Sequence, residues 1–213
     1  MPSINENSES IFSESFRSIK ASIKYSSADK NKNVILITSA NAGEGKSTIS
    51  SNLARVFAED KKVLLIDCDL RKPTIHKKFQ LPVTKGLTDF LVCEVDFNNA
   101  IKKYSDNLHI IVAGTKTINP AKLIDSENMD SLIKLAREKY DYVILDTSPL
   151  GVFADSQILI NKVDGVVVVA EYEKTQKDKL KNCKEIIEKY DGKIIGAILN
   201  NVRVSKESYY GYY

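Results

Sequence analysis

The segment Ala40-Asn41-Ala42-Gly43-Glu44-Gly45-Lys46-Ser47-Thr48 follows an apolar run, Val34-Ile35-Leu36-Ile37, and opens a stretch of helical periodicity. It matches G-x-x-x-x-G-K-[ST] with Ala40 in the first glycine place, and a strand before and a helix after are the context that motif requires. Main-chain N–H groups of such a loop converge on phosphate, aided by the positive end of the following helix. Gly43 and Gly45 let the backbone come close, Lys46 is placed for the β- and γ-phosphates of a nucleotide, and the Ser47 hydroxyl for Mg²⁺. Ala42, Glu44 and Thr48 complete the predicted nucleotide-binding stretch. The competing explanation is a chance glycine-rich helix entry, which the strand-loop-helix context disfavours.

Acidic residues close two further apolar runs. Asp67 and Asp69 follow Leu64-Leu65-Ile66, and Asp146 follows Val143-Ile144-Leu145. Strands of a parallel sheet share one carboxyl edge, so all three carboxylates are expected beside the phosphate loop, where such an Asp holds a metal directly or through its water shell. For one Asp alone a helix cap would compete; three beside a phosphate loop weaken that reading.

These side chains need a scaffold, and the hydropathy pattern supplies it. Short apolar runs at 33–38, 62–67, 108–113, 142–146, 165–170 and 193–199 read as strands, and helix-period segments near 47–59, 126–139, 155–162 and 175–190 lie between them. The alternation predicts an α/β fold, a doubly wound, mostly parallel sheet with helices on both faces, and the phosphate loop after its first strand makes it one of the P-loop NTPase type. A separate leading helix carries Phe12, Phe16, Ile19 and Ile23 at helical spacing, with Glu14, Arg17, Lys20 and Lys24 on the other side, and need not belong to the sheet core. Four of the ten tyrosines, Tyr209, Tyr210, Tyr212 and Tyr213, fall in the last five residues, a concentration core packing does not explain at a terminus. The expected organisation is a helix at 1–30, a nucleotide-binding domain at 31–201 and a tail at 202–213.

Composition narrows the partners. Of 213 residues, 43% are hydrophobic and 28% charged, a globular balance that excludes disorder throughout. The formal charge of +3 is too small and too evenly spread to make nucleic acid the main partner. No run approaches a membrane span and the start MPSINENSES lacks a signal-peptide core, so a cytosolic location is expected. Cys68, Cys93 and Cys183 read as buried packing thiols, and His76 and His109 as surface or structural residues. The basic residues Arg71, Lys72, Lys77 and Lys78 read first as a solvated face.

The motifs together resemble the bacterial tyrosine kinases, a branch of the MinD-like P-loop ATPases. The resemblance covers nearly the whole chain: SANAGEGKST as Walker A, VLLIDCDLRKP as Walker A′, VILDTSP as Walker B, GAILNNV, the tyrosine cluster, and Glu14-x-x-Arg17-x-x-Lys20, similar to the family's E-x-x-R-x-x-[RK] oligomerisation motif. There are departures. Ala42 stands where relatives often carry proline, and Lys20 replaces an arginine whose bidentate contact lysine cannot reproduce. The signature lysine that MinD and ParA relatives carry near Asn41 is missing, which argues against the rival reading of a pure ATPase switch; a nucleotide-dependent scaffold is the third reading.

What the resemblance implies is ATP-dependent transfer of phosphate to tyrosine, with ATP/ADP and Mg²⁺ as cofactors and the terminal cluster as first acceptor. It implies Lys46, Asp67, Asp69 and Asp146 as catalytic residues, Asp67 orienting or deprotonating the acceptor and Ser47, Asp69 and Asp146 serving the metal; Asp67 and Asp69 can exchange roles. Asn200, with Arg203, matches the adenine-binding position, although turn formation explains Asn200 nearly as well. A ring-shaped homo-oligomer, a transmembrane adaptor that recruits the chain to the inner membrane face, other tyrosine-containing substrates and a cognate phosphatase are the implied partners, in capsule or exopolysaccharide production. Residues 202–213 span about 40 Å when extended, enough to enter a neighbouring subunit.

Overall fold

The computed structural model describes residues 6–26 and 33–202, with side chains from residue 13 onward in the first segment. In chain order the elements are α1 (Glu6–Ser26), β1 (Val34–Ser39), α2 (Lys46–Phe57), β2 (Val63–Asp67), α3 (Ile75–Lys78), α4 (Leu87–Leu91), α5 (Phe97–Ala100), β3 (Lys102–Lys103) and β4 (Leu108–Ile111). There follow α6 (Pro120–Ile124), α7 (Glu127–Lys139), β5 (Tyr142–Asp146), α8 (Ala154–Leu159), a 3₁₀ turn (Ile160–Lys162), β6 (Gly165–Glu171), α9 (Lys177–Lys189) and β7 (Ile194–Asn200).

The strands form one sheet in the order β3-β4-β2-β5-β1-β6-β7, parallel throughout except for the β3–β4 pair. All six expected strands are present. The added β3 is a two-residue edge pairing, Lys102 with Ile110 and Lys103 with His109, too short and too charged to leave a hydropathy signal. The short helices α3 to α6 escape periodicity for the same reason, each spanning little more than one turn.

Helices cover both faces. On one, α2 presents Ile49, Leu53, Ala54 and Phe57, spaced as a helical stripe, to Ile35, Ile37 and Leu65 of the sheet. On the other, Met129, Leu132 and Ala136 of α7 and Cys183 and Ile187 of α9 pack on Leu36, Val143 and Val166. Because both faces are covered, β1, β2 and most of β6 are buried without polar alternation.

Two sequence expectations change in detail. The leading helix does join the core: Phe16 and Ile23 are buried in the same cluster as α2, and Lys20 donates to the Val56 carbonyl at 2.8 Å and pairs with Asp60. Phe12 lies outside the described side chains. Cys68 and Cys183 are buried, but Cys93 is exposed, because it sits at a left-handed turn (φ 61°) that closes α4. His109 is structural, its Nδ1 2.7 Å from the Tyr140 hydroxyl.

Candidate active site

The carboxyl ends of β1, β2 and β5 meet the start of α2, and this is where the predicted chemistry converges. Gly45 caps α2 in the left-handed region (φ 93°), and a Cβ there would lie 2.1 Å from Asn200 Nδ2. Only glycine combines that backbone with that approach. Asn200, at the end of β7, donates its amide to the Glu44 carbonyl at 3.0 Å, so the structure uses it to brace the phosphate loop.

Glu44 is the loop's internal clasp, a role its place in the motif did not disclose. Its buried carboxylate accepts the Asn41 main-chain N–H at 3.0 Å, the Asn41 side-chain amide at 2.8 Å and the Thr175 hydroxyl at 2.5 Å. These bonds hold the loop from within. Thr175, which also accepts the Glu171 N–H at 2.7 Å, was absent from the sequence reading because it lies 131 residues from Glu44.

Lys46 is the first residue of α2 and nearly buried. Burial lowers the pKa of its amine, against the opposing pull of the Asp146, Asp69 and Glu44 charges. Lys46 and Asp69 line the same cleft at this rim. Asp146 lies opposite Asp67 in the β2–β5 register. Burial pushes the Asp146 carboxyl up to about 6, opposed by the Ser47 and Ser50 hydroxyls and by Lys46. Its Oδ1 accepts the Ser50 hydroxyl at 2.8 Å, whereas the equally buried Oδ2 has no hydrogen-bond partner. Ser50, one turn beyond Lys46, was missed: a small hydroxyl on a helix carries no motif of its own.

The two aspartates after β2 diverge. Asp67 is fully buried, its Oδ2 accepting the Thr74 and Ile75 N–H groups at 3.1 and 3.0 Å, and burial followed by the Asp146 charge raises its pKa well above the ordinary carboxylate range. Asp69 is half-buried and lines a cleft of about 400 Å³ together with Gly43, Lys46, Ser47 and Thr48. The Asp67 carboxylate thus organises the chain entering α3, while Asp69 lines the cleft. Ala42 and Gly45 also line this cleft, as do Arg71, Lys72 and Lys78. Lys78 donates to the Thr48 hydroxyl at 2.8 Å, and Arg71 forms a two-pronged pair with buried Asp155 at 2.7 and 3.1 Å. The basic stretch is thus only partly a solvated face.

An orphaned buried carboxylate oxygen beside a serine hydroxyl is an oxygen pair suited to Mg²⁺, which keeps most of its waters and takes one or two protein oxygens. Among the described residues, no three His, Cys, Asp or Glu side chains converge into an all-protein cage. Elsewhere, Glu14 and Arg17 are exposed on α1, 3.7 Å apart, with Arg17 also 3.6 Å from Glu59. Arg203, Tyr209, Tyr210, Tyr212 and Tyr213 lie outside the described residues.

Comparison with known proteins gives the family. The AAA domain family matches residues 32–197. The tyrosine-protein kinase YwqD of Bacillus subtilis is 44% identical over 207 residues, 96% of this chain and 87% of YwqD. Among solved structures, the kinase domain of the Escherichia coli tyrosine kinase ETK superposes with a TM-score of 0.87 at 30% identity, covering 91% of this chain and 78% of that one. The chimerical protein CapA2B2 superposes at 0.84 with 34% identity, covering 90% and 85%. The phosphate loop, the carboxylates gathered on its rim and these relatives together make the chain a member of the bacterial tyrosine kinases, ATP-dependent protein-tyrosine kinases built on the P-loop fold.

Proposed function

We propose that the kinase phosphorylates its own terminal cluster, Tyr209, Tyr210, Tyr212 and Tyr213, across subunits of a homo-oligomer, and so regulates capsule or exopolysaccharide synthesis and export. The observation that carries the catalytic part is that Lys46, Ser47 and Asp69 line one cleft, while Asp146, buried at the end of β5, keeps one carboxylate oxygen unpartnered. The tail part is supported by β7, which runs parallel to β6 and ends with Asn200 bonded to the phosphate loop, so that the segment beyond starts from the active-site rim.

The residues divide the work. Main-chain groups of residues 42–48 cradle the phosphates, and Lys46 supplies positive charge where the transferred group develops negative charge. Ser47, Asp146 and Asp69 would hold Mg²⁺, which would supply further charge neutralisation. Asp69 then orients the acceptor phenol. The phenol oxygen forms the new bond to the γ-phosphorus, the bond from that phosphorus to the bridging oxygen breaks, ADP departs, and the phenolic proton passes to the carboxylate. Asp67 holds the chain that carries Asp69. Asn200 and Arg203 are assigned to the adenine side.

Each phosphotyrosine adds about −1.5 to −2 charges, so a phosphorylated tail leaves this acidic rim and the oligomer comes apart. Exposed Glu14 and Arg17, with Lys20, are the proposed contact between subunits. The likeness to the chimerical protein CapA2B2 supports an adaptor partner, which is proposed to recruit the chain to the inner membrane face. Among the described residues no helix is long and apolar enough to cross a membrane. Other tyrosine-bearing proteins and a phosphatase complete the proposed cycle.

The test is incubation with Mg·ATP followed by mass spectrometry of the C-terminal peptide and light scattering of the whole protein, with Lys46→Met as control. Phosphate in the wild-type tail and a fall in mass are expected. An unmodified tail rejects self-phosphorylation, and an unchanged mass on full phosphorylation rejects dissociation.

A further inference from the structure

The cleft that holds Lys46 and Asp69 has a second wall of different character. Pro149, Val152 and Phe153, in the loop after β5, line it alongside the charged residues, and Val152 is 55% exposed. More than half of Val152 is left uncovered by the chain's own packing, on a wall it shares with Pro149 and Phe153.

The wall is also built to hold its shape. The Leu150 N–H donates to the Ser39 carbonyl at 3.0 Å, which ties the loop to the end of β1 just before the phosphate loop, and the Gln157 amide returns to the Leu150 carbonyl at 3.0 Å. Arg71 stacks 4.3 Å from the centre of the Phe153 ring while its guanidinium is gripped at two points by buried Asp155. The arginine is therefore locked in place by a buried carboxylate, and the aromatic ring is locked by the arginine.

Topology says which end of the nucleotide this wall adjoins. The sheet order β2-β5-β1-β6-β7 places the loops after β2 and β5 on one side of the phosphate loop, and Thr175 and Asn200 on the other. The carboxylates Asp69 and Asp146 belong to the first side, as do Pro149, Val152 and Phe153. The apolar wall thus stands at the reacting end, where the acceptor must enter.

We propose that Pro149, Val152 and Phe153, stiffened by the Arg71–Asp155 pair, form the subsite that takes the phenol ring of the acceptor tyrosine. A ring seated on this wall is held by apolar contact and carries its hydroxyl toward Asp69 and Lys46. Serine and threonine have no flat apolar face to set against it and too short a reach. The wall would then exclude them by loss of contact rather than by a clash. The inference rests on the assignment of Asp69 and Lys46 to the reacting end.

The test separates ring recognition from chemistry. Full-length wild type, Val152→Ser and Phe153→Ala are compared for binding of three short acidic peptides bearing Tyr, Phe or Ala at one position, in the presence of a non-hydrolysable Mg·ATP analogue. Transfer to the Tyr peptide is measured in parallel with Mg·ATP. For wild type, Tyr and Phe peptides should bind within about threefold of each other and the Ala peptide at least tenfold more weakly. Val152→Ser should raise the acceptor KM about three- to tenfold and Phe153→Ala more than tenfold, with affinity for the ATP analogue unchanged within twofold. Phe153→Leu should recover part of the loss. If Phe153→Ala does not fold, exposed Val152 still decides the matter. Equal binding of the Ala peptide, an acceptor KM unmoved by Val152→Ser, or a matching fall in nucleotide affinity would each overturn the subsite. Ring-dependent binding without transfer in wild type would instead keep the subsite and reject the role given to Asp69.

Discussion

Asp164 and Asp146 sit at opposite rims of the same sheet and receive opposite treatment. At the amino rim, Asp164 Oδ2 accepts the Asn33 and Val34 N–H groups at 2.9 and 2.8 Å and the Arg137 guanidinium at 2.5 Å. Burial alone would raise its pKa, but the arginine and the two N–H groups outweigh it and hold the carboxyl below the ordinary range. At the carboxyl rim, Asp146 is buried with one oxygen unpartnered and its pKa lifted to about 6. One carboxylate is fully committed to closing the structure, and the other is left short of partners where a ligand would complete it. A buried charge that lacks a protein partner points to chemistry; a satisfied one points to architecture.

Substitution should separate the two rims. Asp146→Asn is expected to lower phosphoryl transfer by about 10²–10³-fold while leaving the melting temperature of the nucleotide-free protein unchanged or higher, since the variant removes an ill-solvated charge. A large drop in stability would place Asp146 with Asp164 instead. Asp164→Ala should do the reverse, lowering stability by about 2 kcal/mol, which for this size is roughly 4–8 °C in melting temperature, with near-normal transfer at low temperature.

Acid should distinguish them by sign. Because the folded-state pKa of Asp146 is raised, its favourable contribution is complete below about pH 4 and is lost as pH rises through about 6. In nucleotide-free, metal-free protein, wild type should therefore gain stability relative to Asp146→Asn on going from about pH 7 to 5, by no more than roughly 3 kcal/mol. Asp164 contributes above the unfolded value of about 4, and that contribution is lost as acid carries pH through its lowered pKa. Asp164→Ala should thus lack part of the acid unfolding step, and thermal melts across pH in a chelating buffer will read both slopes.

The smallest expected effect concerns the clasp. Glu44→Gln offers one acceptor oxygen where three donors now converge, and should raise the ATP KM about five- to tenfold. Thr175→Val, which removes one of those donors, should raise it about two- to threefold. Steady-state kinetics at constant acceptor concentration decide both. No change in Glu44→Gln would mean that the loop holds its shape without the carboxylate.

The fold was legible because its core strands are buried on both faces and so appear as uninterrupted runs such as Val166 to Ala170, while α2 shows its stripe of Ile49, Leu53 and Phe57. Lys46, Asp69 and Asp146 were legible because motif and strand-end position together force them to one rim. The role of Asp67 was not, since its N–H donors come from Thr74 and Ile75, in a turn with no periodic signal. Neither was the packing of α1, where only burial of Phe16 and Ile23 shows that the helix is part of the core.

Sequence alone determined the sheet, the phosphate loop and the set of charged residues available at its rim, because these follow from local hydropathy, glycine placement and the shared direction of parallel strands. Tertiary structure decided what each charge does. Whether a carboxylate is bonded to backbone, clasped by a threonine 131 positions away or left with an empty oxygen depends on partners brought together by packing, and those partners carry no marker in the linear chain.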